Sequence, residues 1–164
     1  MGQDNSSKAV AVTPEEPAAV ASSPTGSGFV SEMQQFQAQV WTSLPPERKA
    51  EVIAYMVGNQ ADPIDVVVGK EISVEHLIAH RVPFVTDDGE EIELDRIILL
   101  TTDGHAYACT SSGIRRSLAA IMALYNLPPW DGGLLLTVTA VKTRRKFTTY
   151  VISPVIKRPP VPVK

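Results

Sequence analysis

The sequence predicts a mainly β (α+β) domain: an OB-like barrel or curled sheet of five to six antiparallel strands with one inserted helix, preceded by two short helices. From residue 64 onward the apolar residues recur with the two-residue period of strands. Two Asp-Gly pairs, Asp88-Gly89 and Asp103-Gly104, stand between such runs, and glycine there accepts positive φ without steric cost. A single amphipathic stretch, Ile114 to Tyr125, interrupts the strands before a last pair.

Along the chain, residues 1–27 are rich in Ala, Ser, Pro, Gly and Thr with almost no large apolar side chains, so they are expected to form a disordered arm. Phe29, Met33, Phe36, Val40 and Trp41 recur at helical spacing and predict a helix over 29–42. Ser43, Pro45 and Pro46 supply a start signal for a second helix over 45–57, which Gly58 ends. Ile64 to Val68 is a β-branched run that reads as a strand closed by Gly69. Residues 73–86 predict a long strand bent or broken at Pro83, and the return strand runs through Ile92, Leu94 and Ile97 to Leu100. His105 to Thr110 follows the second turn. Ser111-Ser112-Gly113 caps the helix, and Leu134–Val141 pairs with Phe147–Ile152 across Lys142-Thr143-Arg144-Arg145-Lys146. The expected organisation is an arm over 1–27, a helical pair over 28–60, an OB-like domain over 61–155 and a basic Pro-rich tail over 156–164.

With 44% hydrophobic and 20% charged residues the chain suits a globular domain with a real core. Cys109 is the one cysteine, which excludes an internal disulfide and a thiolate zinc cluster. No stretch approaches the length of an apolar membrane span, so a soluble, cytoplasmic protein with no membrane partner is expected.

The net charge of −3 hides a division. Residues 1–103 carry 17 acids and 6 bases, whereas residues 104–164 carry nine bases against Asp131 alone. Tyr107, Tyr125, Trp130, Phe147 and Tyr150 lie within that basic part, which joins charges for phosphates to ring faces for bases. The bland reading of the same residues is solvated charge around an ordinary core.

No nucleophile–base pair stands out, so no enzyme, catalytic residue or cofactor is expected. His76 and His80 share one face of a strand, too far apart for one ion, and no further ligand completes a metal set. Asp87, Asp88, Glu90, Glu91, Glu93 and Asp95 crowd one hairpin and read as a solvated edge that repels DNA. Tyr107 follows a tight turn, with Ala106, Ala108 and Thr110 facing the other way; its ring stacks on a base if exposed and packs in the core if not. Arg115 and Arg116 occupy the first turn of the helix, where the dipole disfavours cations, so phosphate contact is one explanation for them. Arg144, Arg145 and Lys146 on a hairpin tip can follow a flexible backbone. Phe147 and Tyr150 face opposite sides of the return strand, so at most one stacks.

The run Ile97-Ile98-Leu99-Leu100-Thr101-Thr102-Asp103-Gly104-His105-Ala106-Tyr107-Ala108, then a Ser-capped helix, a strand, a basic turn and an aromatic-bearing strand, resembles the small single-stranded DNA-binding proteins of tailed bacteriophages that serve protein-primed replication. The resemblance covers about residues 66–153. It implies tyrosines that stack on DNA, with Tyr107 at the matching position, and residence in the host-cell cytoplasm. The helical pair and the basic tail lie outside it.

The leading expectation is therefore sequence-independent binding of single-stranded DNA that protects and organises template during phage replication. Its site residues are Tyr107, Arg115, Arg116, Lys142, Arg144, Arg145, Lys146, Phe147, Tyr150 and Trp130. An alternative is an interaction or assembly module, with no nucleic-acid role, in which residues 29–57 bind a second copy or a replication protein through Trp41 and Tyr55. Duplex-specific recognition is disfavoured, since the only candidate helix carries just two bases.

Overall fold

The computed structural model describes residues 25–158, which fall into two units divided between Gln39 and Val40. The expectations for the arm up to residue 24 and for the tail from residue 159 lie outside the described residues, as do the side chains of 25–27 and 36–38. The first unit contains helix α1, Thr25–Ala38, on which Phe29, Val30 and Met33 are exposed.

The second unit is a mixed, curled half-barrel, mainly β and OB-like. Its strands are β1 (Val40–Thr42), β2 (Asp62–Pro63), β3 (Glu71–Val85), β4 (Glu91–Thr101), β5 (Ala106–Cys109), β6 (Leu134–Lys142) and β7 (Thr148–Pro154). Two helices accompany them, α2 (Lys49–Val57) and α3 (Ser112–Tyr125). The sheet order is β2-β5-β4-β3-β6-β7, with β1 added to β3.

β3 is the spine. One edge pairs with β4 along most of its length; the other is shared, Glu71–Val74 pairing with β6 and Ile78–His80 with β1. The bend falls at a register shift between Val74 and His76 rather than at Pro83, which pairs in register with Glu93. Pro83 is tolerated because that stretch of β3 has β4 as its only neighbour, so its missing N–H breaks no ladder.

Two further expectations are corrected. The helix over 29–42 stops at Ala38, and Val40-Trp41-Thr42 instead forms β1, antiparallel to Ile78–His80. These β-branched and aromatic side chains suit an edge strand with a long neighbour to pair against. The strand over 64–68 is a 3-10 turn, Ile64–Val67, preceded by the two residues of β2. Its β-branched side chains Ile64 and Val67 are wanted inside, and the turn points both into the core. This segment also bridges the open side of the half-barrel. β2 pairs in parallel with Tyr107 and Ala108 at one end, and Gly69 N–H donates to the Val138 carbonyl at 2.8 Å at the other.

Both faces of the spine are covered as far as His80. Ile72, Val74, Leu77, Ile97, Leu99, Leu136, Val138 and Ile152 fill the interior with Ile114, Leu118 and Ile121 of α3, and Trp130 closes it. On the outer face Ile78, Ile98, Leu100 and Ala106 lie under Leu44, Val52, Tyr55 and Met56, brought there by β1 and α2. Apolar burial at roughly 25 cal/mol per Å² makes both layers stabilising.

His76 and His80 sit on the covered outer face, not in solvent. His76 Nδ1 lies 3.2 Å from Ser43 Oγ, which also accepts the Leu77 N–H at 2.9 Å. His80 Nε2 has no hydrogen-bond partner among the described residues, and burial, helped by the Arg96 charge, holds its pKa below the ordinary 6.5.

Candidate nucleic-acid interface

The outer face of β4 and β5, which an OB fold commonly offers to oligonucleotides together with the loops at its rim, is already occupied by Leu44, Val52, Tyr55 and Met56. The exposed cations lie elsewhere, on the first turn of α3 and on the β6–β7 hairpin.

Three local interactions assemble that rim. Ser111, the N-cap of α3, accepts the Ile114 N–H, and its Oγ also accepts the Tyr150 N–H at 3.2 Å and donates to the Tyr150 carbonyl at 3.0 Å. Thr149 Oγ1 adds a contact at 3.1 Å. Gly113 then lies against β7 so closely that a Cβ would overlap the Tyr150 carbonyl oxygen. The start of α3 is thereby bound to the root of the β6–β7 hairpin.

The hairpin tip is closed by Thr143. Its N–H donates to the Phe147 carbonyl at 2.8 Å, and its Oγ1 accepts the Phe147 N–H at 3.2 Å. Lys142, Arg144, Arg145 and Lys146 are all exposed, and none joins an ion pair among the described residues. Phe147 is 69% exposed. Between this hairpin and the β2 turn runs an open groove of about 440 Å³, lined by Pro63, Asp65, Cys109, Ser111, Thr148 and Tyr150. Burial pushes the Cys109 thiol up to about 11, against a smaller opposing pull from the Ser111 backbone hydrogen bond.

The acidic hairpin borders the same helix start from the other side. Arg115 Nη1 meets Asp95 Oδ2 at 2.5 Å, and Arg81 reaches Glu93 at 3.0 Å and Asp95 at 3.7 Å. The unfavourable placement of Arg115 at a helix start is thus answered in part by a carboxylate of β4. Arg116 is exposed.

The sequence-derived residues separate into groups. Arg115 and Arg116 lie in the first turn of α3, which Tyr150 contacts through Ser111, while Lys142, Arg144, Arg145, Lys146 and Phe147 stand exposed at the far end of the β6–β7 hairpin. Tyr150 is half-buried against the interior core, while Phe147 is exposed. Tyr107 stands one pleat along β5 from Cys109, on the side opposite Ala106 and Ala108, and is half-buried against the core. Its ring stacks with His105 at a centroid distance of 6.3 Å. Burial raises its phenol pKa, with further increments from Asp103 and Asp62, so the charges acting on it are acidic. Trp130 is buried, and its Nε1–H donates to the Asn126 carbonyl at 3.1 Å; its ring belongs to the core and does not face the groove. The sequence marked Ser111-Ser112-Gly113 only as a helix cap and gave no sign of Thr149; the approach of Ser111 and Gly113 to β7 depends on residues nearly forty positions apart. Among the described residues no group of three or more His, Cys, Asp or Glu is placed to hold a metal ion. Among them, too, no helix is long and apolar enough to cross a membrane.

An OB-like half-barrel that carries an exposed basic hairpin, whose root borders a rim groove, is compatible with nucleic-acid binding. A family model described as phage single-stranded DNA-binding protein, of the Phi29 type, matches residues 54–153. The chain belongs to that family, and it binds single-stranded DNA in phage replication. The family is one of non-enzymatic DNA-binding proteins. No curated protein and no solved structure matches the chain.

Proposed function

We propose that the single strand follows the rim groove, held by phosphate contacts from Lys142, Arg144, Arg145, Lys146 and Arg116, with Arg115 held back by Asp95. The clasp between Ser111 and Tyr150 supports this reading most directly, because it ties the strand that carries the basic hairpin to the start of the helix that carries the arginines. Phe147 offers an open ring face to a base, and Tyr150 lines the groove; Tyr107, half-buried on β5, is the further stacking candidate. Stacking accepts every base, so binding is sequence-tolerant, and the protein coats template and shields it from pairing and attack. Such a protein works in the host-cell cytoplasm and performs no chemistry on the strand.

Fluorescence titration with short oligonucleotides across a salt series tests this. Neutralising four to five phosphates predicts a log–log slope of about −3 for a single strand. Arg144→Glu with Arg145→Glu should lower affinity at least about tenfold and flatten the slope by about 1.4. An unchanged slope in that variant would remove the hairpin from the site.

A further inference from the structure

The acidic hairpin carries a surface that DNA binding does not use. Beyond His80, β3 and β4 continue as a free two-stranded arm, with β6, β1 and β5 all ending nearer its root. Cross-strand pairs Val82–Leu94 and Phe84–Ile92 set four apolar side chains on one face of the arm. That face continues the row of Ile78 and Ile98, but the cover formed by β1 and α2 does not extend over it: Phe84 is 48% exposed and Ile92 39%. An exposed apolar row rimmed by charge is the signature of an interaction surface.

The arm's charge selects the occupant. Arg81 and Arg115 neutralise Glu93 and Asp95. Asp87, Asp88, Glu90 and Glu91 remain without ion partners among the described residues. The complementary object is the β6–β7 hairpin, which has four unpaired cations and the exposed side chains Val141 and Phe147. No ion pair joins the two hairpins within one described chain, so each one's complement is free on another copy. Two arms meeting face to face would instead oppose like charges.

We propose that the apolar face of the β3–β4 arm receives the basic β6–β7 hairpin of a second copy. The contact is heterologous, arm to hairpin, and therefore repeats along a chain of copies rather than closing a two-fold dimer. Phe147 packs on Phe84 and Ile92, and the four acids face the four bases. Where the hairpin also contacts DNA, as in the reading above, the strand and the arm compete for the same cations. By linkage, single-stranded DNA then releases copies from the assembly as it binds them.

Sedimentation of the full chain without DNA, at about 50 mM and about 500 mM salt, tests the contact itself, since exposed ion pairs weaken as the screening length shortens. Association at low salt that disappears at high salt is expected. Asp88→Lys with Glu91→Lys, and separately Arg144→Glu with Arg145→Glu, should each stay monomeric, while an equimolar mixture of the two variants associates again. Phe84→Ser should weaken association about tenfold with an unchanged melting temperature, about the cost of withdrawing one ring from an apolar contact. A wild-type chain that is monomeric throughout, variants that associate alone, or a mixture that stays monomeric would each overturn the proposal. Titration with an oligonucleotide long enough for one copy keeps the two readings apart. If Arg144→Glu/Arg145→Glu loses DNA affinity but still associates, the inter-copy contact fails and the DNA site stands; the reverse result removes the DNA role of the hairpin alone.

Discussion

One hydroxyl, that of Ser111, clasps the Tyr150 peptide on both sides, accepting its N–H at 3.2 Å and donating to its carbonyl at 3.0 Å. A residue two positions past the end of β5 that caps α3 is thereby spliced to β7, and the cationic hairpin inherits a fixed root. Ser111→Ala loses the cap and the splice together. Its stability should fall by about 1–2 kcal/mol by thermal or denaturant unfolding. Oligonucleotide affinity should fall as well, because the hairpin loses its registration with Arg115 and Arg116.

Gly113 makes the same approach possible from the helix side. A Cβ there overlaps the Tyr150 carbonyl oxygen, a backbone atom that cannot swing away. Gly113→Ala should cost about 1–3 kcal/mol, the usual range for overpacking, even though alanine is the better helix former. A melting temperature equal to or above that of the wild type would contradict the close contact.

Asp95 restrains Arg115. Asp95→Asn frees the guanidinium for a phosphate, so oligonucleotide affinity should rise about two- to fivefold at low salt and the log–log slope should steepen by about 0.7. Stability should change little, since the pair is solvent-exposed and such pairs contribute at most about 1 kcal/mol. Unchanged affinity would mean that Arg115 does not meet the strand.

The aromatic residues should divide by burial. Phe147→Ala should leave the melting temperature unchanged and lower affinity for an oligonucleotide by about 1–3 kcal/mol, the range for one stacked base. Trp130→Ala should do the opposite, losing about 3–5 kcal/mol of stability from the core.

His80 gives the stability a dependence on pH. Its folded pKa lies below the ordinary 6.5, so below that value the unfolded chain takes up a proton that the folded chain refuses. The contribution is complete above 6.5 and declines as pH falls from there toward the folded pKa. The melting temperature should drop over that interval, and His80→Leu should remove that part of the drop. A variant with the same profile as the wild type would acquit His80.

Cys109 reports on the groove. With its thiol pushed up to about 11, maleimide labelling should be slow at neutral pH and accelerate only toward that value. Saturation with an oligonucleotide should slow labelling further at any fixed alkaline pH, since Cys109 lines the groove. Labelling indifferent to DNA would move the strand elsewhere.

The elements of the domain were legible because their causes are local. Asp88-Gly89 and Asp103-Gly104 became turns with both glycines at positive φ, and the helix after Ser111 starts and stops where its cap and apolar spacing indicate. The alternation that sets Tyr107 against Ala106 and Ala108 was likewise written in the strand period. Val40-Trp41-Thr42 could not be read in this way, because helical spacing and an edge strand differ only in whether β3 offers an edge there. Ile64 to Val67 became a turn because the interior needed two of its side chains at once, which strand alternation does not supply for neighbours of that spacing.

By itself, then, the chain determined its turns, its helix and the division of acid from base, since each depends on residues a few positions apart. Only the tertiary structure decided that Trp130 fills the core, that Tyr107 is half-buried against it, and that Ser111 holds Tyr150. Burial and approach are properties of strands brought together across the curl of the sheet, and no window of sequence contains both partners.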